Sequence, residues 1–262
     1  MEIQWPLALF TLLTSMGGCL FLFVGINEFT RKSSVSGFVP AIVALVLAVV
    51  GGLCSVAHLA HVDRMLNALS HPTSGIFVEA VLIGLLAVAV IVYLVCVKRE
   101  IAGGIKASAV CGMIFGVALS FMAGHSYIMA AIETWNTMLL PTGYLLTALP
   151  MGSSLYWALA GREEAASKFM GVCTLVCGVL GFLGAAAYAA VAGAFSGESM
   201  MLAVGALVLA GVVPAVVGAL GTKTASPALP WVAFVCATLG ALCYRVMMWV
   251  VFTTPFNFFG VM

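Results

Sequence analysis

The chain has 262 residues, of which 64% are apolar and 7% are charged, whereas about a quarter of the residues in a soluble domain are charged. So few charges cannot cover so large an apolar content, which excludes a soluble globular protein and makes lipid the main solvent. The net charge of +1 comes from ten Lys and Arg against nine Asp and Glu. We expect no nucleic-acid partner, because phosphate binding needs a concentrated basic face.

Eight apolar stretches follow one another along the chain, each about as long as the 20 residues that cross a bilayer as a helix. They lie at residues 7–29, 38–60, 74–97, 104–126, 138–160, 169–193, 199–220 and 229–252. The sequence therefore predicts an all-α integral membrane protein, a single domain over residues 1–262 in which eight transmembrane helices form a bundle. Any redox cofactor or catalytic domain outside the membrane must then belong to another polypeptide.

Basic residues fall on one side of this predicted bundle. Eight of them lie in or beside the connections on that side: Arg31, Lys32, Lys98, Arg99, Lys106, Arg162, Lys168 and Lys223. The other side has only Arg64, with Arg245 inside the last span. The positive-inside rule makes the basic side cytoplasmic and places both termini on the non-cytoplasmic side.

Small and aromatic residues predict how the helices pack. A small residue recurs every four positions in the fourth span, at Gly112, Gly116, Ser120 and Gly124. Such a ridge lets another helix backbone approach closely. Three tryptophans near the outer span ends suit the headgroup region of the membrane: Trp5, Trp135 and Trp249.

The eight cysteines all lie within apolar runs, and no CxxC motif occurs. Metal or cluster binding needs thiolates gathered at ligand spacing, whereas isolated thiols in apolar helices pack as small hydrophobic groups. We therefore expect no metal site in this chain.

Ionisable side chains, including four histidines and one tyrosine, are concentrated at the predicted outer side of the bundle. The set comprises His58, His61, Asp63, Arg64, His71, Glu79, His125, Tyr127, Glu133 and Arg245. An ionisable group at membrane depth costs about 2.5–3.5 kcal/mol at a helix centre, so each one inside a span is a candidate functional residue. Chemistry, if present, is expected at this outer face.

His58 and Glu79 are the strongest candidates for binding and proton transfer, because both lie at the edge of a span. A site of this kind suits a lipid-soluble molecule with a polar head, and a quinol fits. Its oxidation releases two protons and two electrons, so it needs a hydrogen-bonding imidazole and a carboxylate relay to water. We expect the quinol to enter between the second, third and fourth helices.

The loop after the second span has a structural interpretation beside the functional one. It holds four candidates in a polar segment, where solvation is the default: His61, Asp63, Arg64 and His71. Asp63 and Arg64, together with Glu133, could instead dock a partner subunit.

The candidates near the ends of the fourth and last spans are also open to two interpretations. Arg245 lies deep enough in its span to need an anion or carbonyl partner, and it could pair with an outer carboxylate. His125 and Tyr127 could be interfacial anchors or supporting ligands of the quinol.

Short motifs spread over the chain carry a family resemblance. They are QWPL at residues 4–7, HL at 58–59, RMLNAL at 64–69, TW at 134–135 and PTGY at 141–144. Glu79, Arg245 and the eight-span layout add to these motifs. Together they make the chain resemble, over nearly its whole length, the DmsC-like membrane anchor subunits of the dimethyl sulfoxide reductase family. Ala60 and Val62 stand where the family has Gly and Pro, and His125 stands where it has an Arg.

The resemblance implies a membrane anchor of a respiratory complex in the cytoplasmic membrane of a bacterium. Its partners would be a four-cluster iron–sulfur subunit and a molybdopterin catalytic subunit on the outer face. Such an anchor oxidises menaquinol near that face and passes the electrons to the iron–sulfur subunit. Residues matching His58 and Glu79 are associated with quinol binding in the family, and the family anchor carries no haem.

Two alternatives remain open at this point. A haem-bearing cytochrome b subunit needs histidines paired across helices, and His58 with His125 could form one such pair. An absorption spectrum with reducible Soret and α bands would favour it. A transporter or channel is the other alternative, since Pro150 and Pro214 interrupt spans. Solute uptake by the chain alone in vesicles would support that function.

Overall fold

The computed structural model describes residues 3–33, 37–57, 73–161, 163–224 and 226–252. These residues form helices and no strands, and 83% of them are helical. The helices are α1 Trp5–Thr30, α2 Phe38–Ala57, α3 Gly75–Lys98, α4 Ala102–His125, α5 Leu139–Ala160, α6 Glu164–Val191, α7 Met200–Leu207, α8 Val213–Gly221 and α9 Ala228–Val250. A π-helical turn at Val208–Val212 joins α7 to α8, so the described residues contain eight long helical rods.

Seven of these rods are long and apolar enough to cross a membrane, and the rod over Gly197–Gly221 is one of them. The remaining rod is α5, with 22 residues, most of which are buried against other helices. Within the described residues the structure therefore confirms an all-helical, multi-pass membrane protein. Eight crossings and the placement of both termini outside the cytoplasm stay predictions.

The rods are arranged as two four-membered rings. In the first ring α1 packs against α2 and α4, and α3 packs against the other faces of both. In the second ring α5 packs against α6 and α9, and the α7–α8 rod lies between α6 and α9. The rings meet where α5 contacts α1 and α4, which explains why α1 and α5 are the most extensively buried helices.

The bundle has two chemically different ends. We call one the Glu79 end, formed by the starts of α1, α3 and α5 and the ends of α4 and α9. The opposite end is the basic end, where seven of the eight described Lys and Arg residues lie: Arg31, Lys32, Lys98, Arg99, Lys106, Lys168 and Lys223. The eighth is Arg245, near the Glu79 end. The predicted one-sided distribution of basic residues is confirmed for the described part of the chain.

The small-residue ridge on α4 makes the close approach that its spacing predicts. Gly116 lies against Gly18 of α1 so tightly that a Cβ on Gly116 would stand 2.5 Å from the Gly18 carbonyl oxygen. The Ser120 hydroxyl is 3.5 Å from the Cys19 thiol, also on α1. Gly124 is packed in the same way against Pro141 at the start of α5. The ridge therefore sets the spacing between α4 and its two neighbours.

Replacing Gly116 with Ala is expected to destabilise the bundle by about 1–3 kcal/mol, because the new methyl group meets backbone that cannot move aside cheaply. Gly84→Ala is the matched control: it also lies within a helix, but a Cβ there has no neighbour within 4 Å. Thermal unfolding in detergent measures both. Equal melting temperatures for the two variants would show that the α1–α4 contact is looser than the structure has it.

Candidate functional site

Glu79 is buried at the start of α3, at the edge of a span as the sequence predicts. Ser74 caps this helix, since its hydroxyl accepts a hydrogen bond of 3.2 Å from the Phe77 N–H. Glu79 follows about one turn later and is only 6% exposed. Its Oε1 accepts a hydrogen bond of 2.8 Å from the Ser126 hydroxyl, just beyond the end of α4. A carboxyl group is thus held between α3 and α4, and no Lys or Arg in the described residues pairs with it.

Ser126 links this carboxyl group to the end of α4. Its hydroxyl is within reach of two acceptors, Glu79 Oε1 at 2.8 Å and the Met122 carbonyl at 3.1 Å. A hydroxyl has a single proton to donate. When Glu79 is protonated it can donate to Ser126, which then donates to Met122. The same geometry therefore accommodates both the neutral and the charged carboxyl group, as a proton-exchanging group requires.

Tyr127 directly follows Ser126 in the chain and belongs to an aromatic cluster. Its ring centroid is 5.7 Å from that of Trp135, 5.8 Å from that of Trp249 and 6.1 Å from that of Tyr144. Burial raises the pKa of Tyr127 well above its usual value, with smaller contributions from Tyr144 and Glu79 in the same direction. The phenol is therefore neutral at physiological pH and able to donate a hydrogen bond.

The sequence interpretation of two tryptophans is wrong. Trp135 and Trp249 were expected in the headgroup region, but they are 2% and 3% exposed. Their rings contact each other at 5.2 Å between centroids, and the Trp135 Nε1 donates a hydrogen bond of 2.9 Å to the Met248 carbonyl. Both indoles fasten the connection after α4 to the end of α9. Trp5, which is 51% exposed, does lie at the surface.

Arg245 is fully buried near the end of α9 and finds carbonyl and hydroxyl partners. Its Nε donates 3.2 Å to Thr11 Oγ1, its Nη2 donates 3.2 Å to the Thr11 carbonyl, and its Nη1 donates 3.0 Å to the Ala241 carbonyl. The guanidinium carbon also lies 4.7 Å from the centre of the Tyr144 ring. Of the two predicted kinds of partner, the described residues supply carbonyl groups and no carboxylate. A positive charge is therefore held inside the bundle without a described counterion.

Two further candidates lie at the same end. His125 is the last residue of α4, next to Ser126, and its ring centroid is 6.1 Å from that of Phe121. Glu133 is exposed in the connection between α4 and α5. His125 is thus next to the residue that hydrogen-bonds to the Glu79 carboxyl group, and Glu133 is accessible at the Glu79 end, as a docking residue must be.

The remaining candidates lie outside the described residues. They are His58, His61, Asp63, Arg64 and His71, all within residues 58–72. Among the described residues, no group of three His, Cys, Asp or Glu could hold a metal ion. Of the predicted site residues, Glu79 and Arg245 both lie close enough to Tyr127 to interact with it electrostatically. The expected pairing of His58 with Glu79 stays a prediction.

A second carboxyl cluster, at the basic end, was missed by the sequence analysis. Glu28 in the last turn of α1 accepts a hydrogen bond from the Tyr93 hydroxyl of α3. The Tyr156 hydroxyl of α5 is buried nearby and has no hydrogen-bond partner among the described residues. A carboxylate near the C-terminal end of a helix is disfavoured by the helix dipole. The position of Glu28 near the end of a helix was therefore the sequence signal for this cluster. The nearby Arg31 and Lys32 made the segment resemble an ordinary loop.

Removing the Tyr93 hydroxyl is expected to destabilise the bundle by about 1–3 kcal/mol, because the half-buried Glu28 loses its donor. Tyr156→Phe is the matched control, since it deletes a neighbouring buried hydroxyl that bonds to nothing among the described residues. Thermal unfolding of Tyr93→Phe and Tyr156→Phe compares them. A larger loss in Tyr156→Phe would mean that Tyr156, and not Tyr93, holds Glu28.

The fold and the buried carboxyl site together define a multi-pass helical membrane protein in which the described Asp, Glu, Lys and Arg residues lie towards the two ends of the bundle. A family model described as DMSO reductase anchor subunit (DmsC) matches residues 1–252. The chain therefore belongs to the DmsC family, the membrane anchors of DMSO reductase complexes. Membership implies catalytic and iron–sulfur partner subunits. A comparison with curated proteins finds no match.

Proposed function

We propose that this anchor oxidises menaquinol at the Glu79 end and passes the electrons to an iron–sulfur subunit docked there, from which they reach a molybdopterin subunit. The observation that carries the proposal is Glu79 itself, a carboxyl group buried between α3 and α4 and bonded to Ser126 at 2.8 Å. Burial of a carboxyl group costs free energy, so its presence at this depth calls for a role. Proton acceptance from a lipid-soluble carrier is a role that this depth permits.

The protons and the electrons of quinol oxidation go to different acceptors, the protons to this chain and the electrons to the partner. Oxidation of one quinol to quinone breaks two O–H bonds and releases two protons and two electrons. Glu79 takes the two protons one after the other, with Ser126 holding the carboxyl group in place, and returns each to water at the outer face. His58 hydrogen-bonds one quinol oxygen. The electrons pass to the docked iron–sulfur partner, so charge and protons leave on the same side of the membrane.

Tyr127 and Arg245 support this step from the interior of the bundle. The neutral Tyr127 phenol can donate a hydrogen bond to a quinol oxygen as negative charge develops on it. Arg245, without a described counterion, supplies a positive electrostatic field to the same region. Groups aimed at developing charge in a dry site stabilise the transition state more than the ground state. His125 lies next to Ser126, where it can serve as a further hydrogen-bonding residue.

The quinol enters from the membrane between α2, α3 and α4. The partner docks through Glu133, with Asp63 and Arg64, which lie outside the described residues, as further predicted contacts. The test is reduction of the iron–sulfur partner by a menaquinol analogue in the purified complex. We expect cluster reduction in the complex that contains this chain, and none in the two partner subunits alone. Equal reduction in both preparations would show that quinol oxidation does not reside in the anchor.

A further inference from the structure

A cavity of about 670 Å³ lies at the basic end, far from the Glu79 site. Its wall draws on both rings of the fold, with Val39 from α2, Trp157 from α5, Ser167 from α6, and Pro230 and Trp231 from α9. The volume is within the range of about 300–1,000 Å³ that is usual for small-molecule sites. A cavity of this size between the two rings can hold a ligand that packs against both.

The described residues of the wall are uncharged and mostly apolar. The Trp157 Nε1 donates a hydrogen bond of 3.0 Å to Ser167 Oγ, so these two inner polar groups satisfy each other. Val39 and Trp231 are 56% and 48% exposed, so the cavity opens at the surface of the bundle beside two large apolar side chains, near the starts of α2 and α9. Water is a poor filling for an apolar cavity, whereas an acyl chain from the bilayer can enter from the side.

The surroundings of the cavity are positive. In the connections beside it and the first turns of α6, the described residues include four basic side chains against two acidic ones: Arg31, Lys32, Lys168 and Lys223 against Glu163 and Glu164. Lys168 forms an ion pair with Glu164 at 2.7 Å, which leaves three basic residues, Arg31, Lys32 and Lys223, against Glu163. Helices α2, α6 and α9 also begin at this end, with their positive dipole ends.

One helix of the cavity wall ends here instead of beginning. It is α5, and its Ala160 carbonyl accepts a hydrogen bond of 2.7 Å from the Ser33 hydroxyl. This bond satisfies one of the carbonyl groups that a helix leaves unpaired at its C-terminal end. The negative end of α5 is therefore partly covered, and the rim of the cavity favours an anion.

We propose that the cavity binds one anionic diacyl phospholipid, with an acyl chain inside and the phosphate at the basic rim. An apolar interior that opens to the membrane accounts for the chain, and the surplus of basic residues and helix N-termini accounts for the negative headgroup. The lipid joins α2 of the first ring to α5, α6 and α9 of the second. This site is separate from the proposed quinol site and does not depend on it.

The first test fills the cavity. Ala158 lines it, and Ala158→Phe places a ring in the space of the acyl chain. Ala187→Phe adds the same ring at an exposed position of α6 near the Glu79 end. The complex is purified in detergent and its bound lipids are identified by mass spectrometry. We expect wild type and Ala187→Phe to retain one anionic phospholipid per chain and Ala158→Phe to lose it. Equal retention in all three proteins, or a quinone as the retained molecule, would overturn the proposal.

The second test measures headgroup preference and stands even if Ala158→Phe assembles poorly. Delipidated complex is titrated with mixed micelles of dioleoylphosphatidylglycerol or of dioleoylphosphatidylcholine, and the melting temperature is followed. We expect stabilisation at lower concentration with the phosphatidylglycerol. Lys223→Gln should raise the concentration needed by about threefold or more, whereas Lys106→Gln, an exposed lysine at the start of α4, should not. Equal stabilisation by both lipids would contradict the proposal, because it would reflect only the general solvation of a membrane protein.

Discussion

Glu79→Gln is expected to reduce menaquinol-dependent turnover of the assembled complex by about 100-fold or more, the usual scale for loss of a positioned proton acceptor. The amide keeps the size of the side chain and can still accept a hydrogen bond from Ser126. It cannot take a proton from the quinol. Turnover driven by a soluble artificial donor, which delivers electrons directly to the partner subunits, should be unchanged.

The control for this experiment is Glu198→Gln. Glu198 is an exposed carboxylate at the same end of the bundle, in the turn before α7, and has no part in the proposed site. Loss of both activities in Glu79→Gln would assign the residue a structural role. Retention of quinol-dependent turnover would remove Glu79 from the proton path.

Arg245→Met is expected to reduce quinol-dependent kcat/KM by about tenfold or more, equivalent to about 1.4 kcal/mol of transition-state stabilisation, while the complex still assembles. Replacing a buried charge with a well-packed apolar side chain is often neutral or stabilising. The fully buried guanidinium is therefore retained at a cost, and the proposed reason is its positive charge beside Tyr144 and Tyr127.

Thr11→Val distinguishes the effect of the Arg245 charge from the effect of its hydrogen bond to the Thr11 hydroxyl. It removes the hydroxyl that Arg245 Nε contacts at 3.2 Å but leaves the guanidinium and its bond to the Thr11 backbone carbonyl. We expect this variant to keep most of its quinol-dependent turnover. If Thr11→Val and Arg245→Met lose turnover equally, or if Arg245→Met fails to assemble, the residue acts by holding α9 to α1.

The helices were predictable from sequence because the bilayer fixes their length. The predicted span 74–97 became Gly75–Lys98, and 138–160 became Leu139–Ala160. The close contact along α4 was also predictable, since a small residue every four positions places them on one face. These features depend on the local sequence pattern and on the lipid bilayer, in which few backbone structures other than a helix satisfy their own hydrogen bonds.

The site was predictable only in part. Glu79 stood out because a carboxylate in an apolar run is visible in the sequence, but its partner Ser126 is a common residue that only the packing of α3 on α4 brings near. The contact of Arg245 with Thr11 joins the two ends of the chain and has no sequence signal. The interpretation of Trp135 and Trp249 was wrong because an indole near a span end suits both the membrane interface and a buried cluster.

The place where the quinol head binds can be measured by photo-crosslinking. A menaquinone analogue with a photoreactive group on its naphthoquinone ring is irradiated with the membrane-embedded complex, and the labelled residues are identified by peptide mass spectrometry. The proposed function predicts labels at the start of α3 and around residues 122–127, and competition by unlabelled menaquinone. Labels confined to the basic end, or labelling that menaquinone does not displace, would show that Glu79 does not serve the quinol.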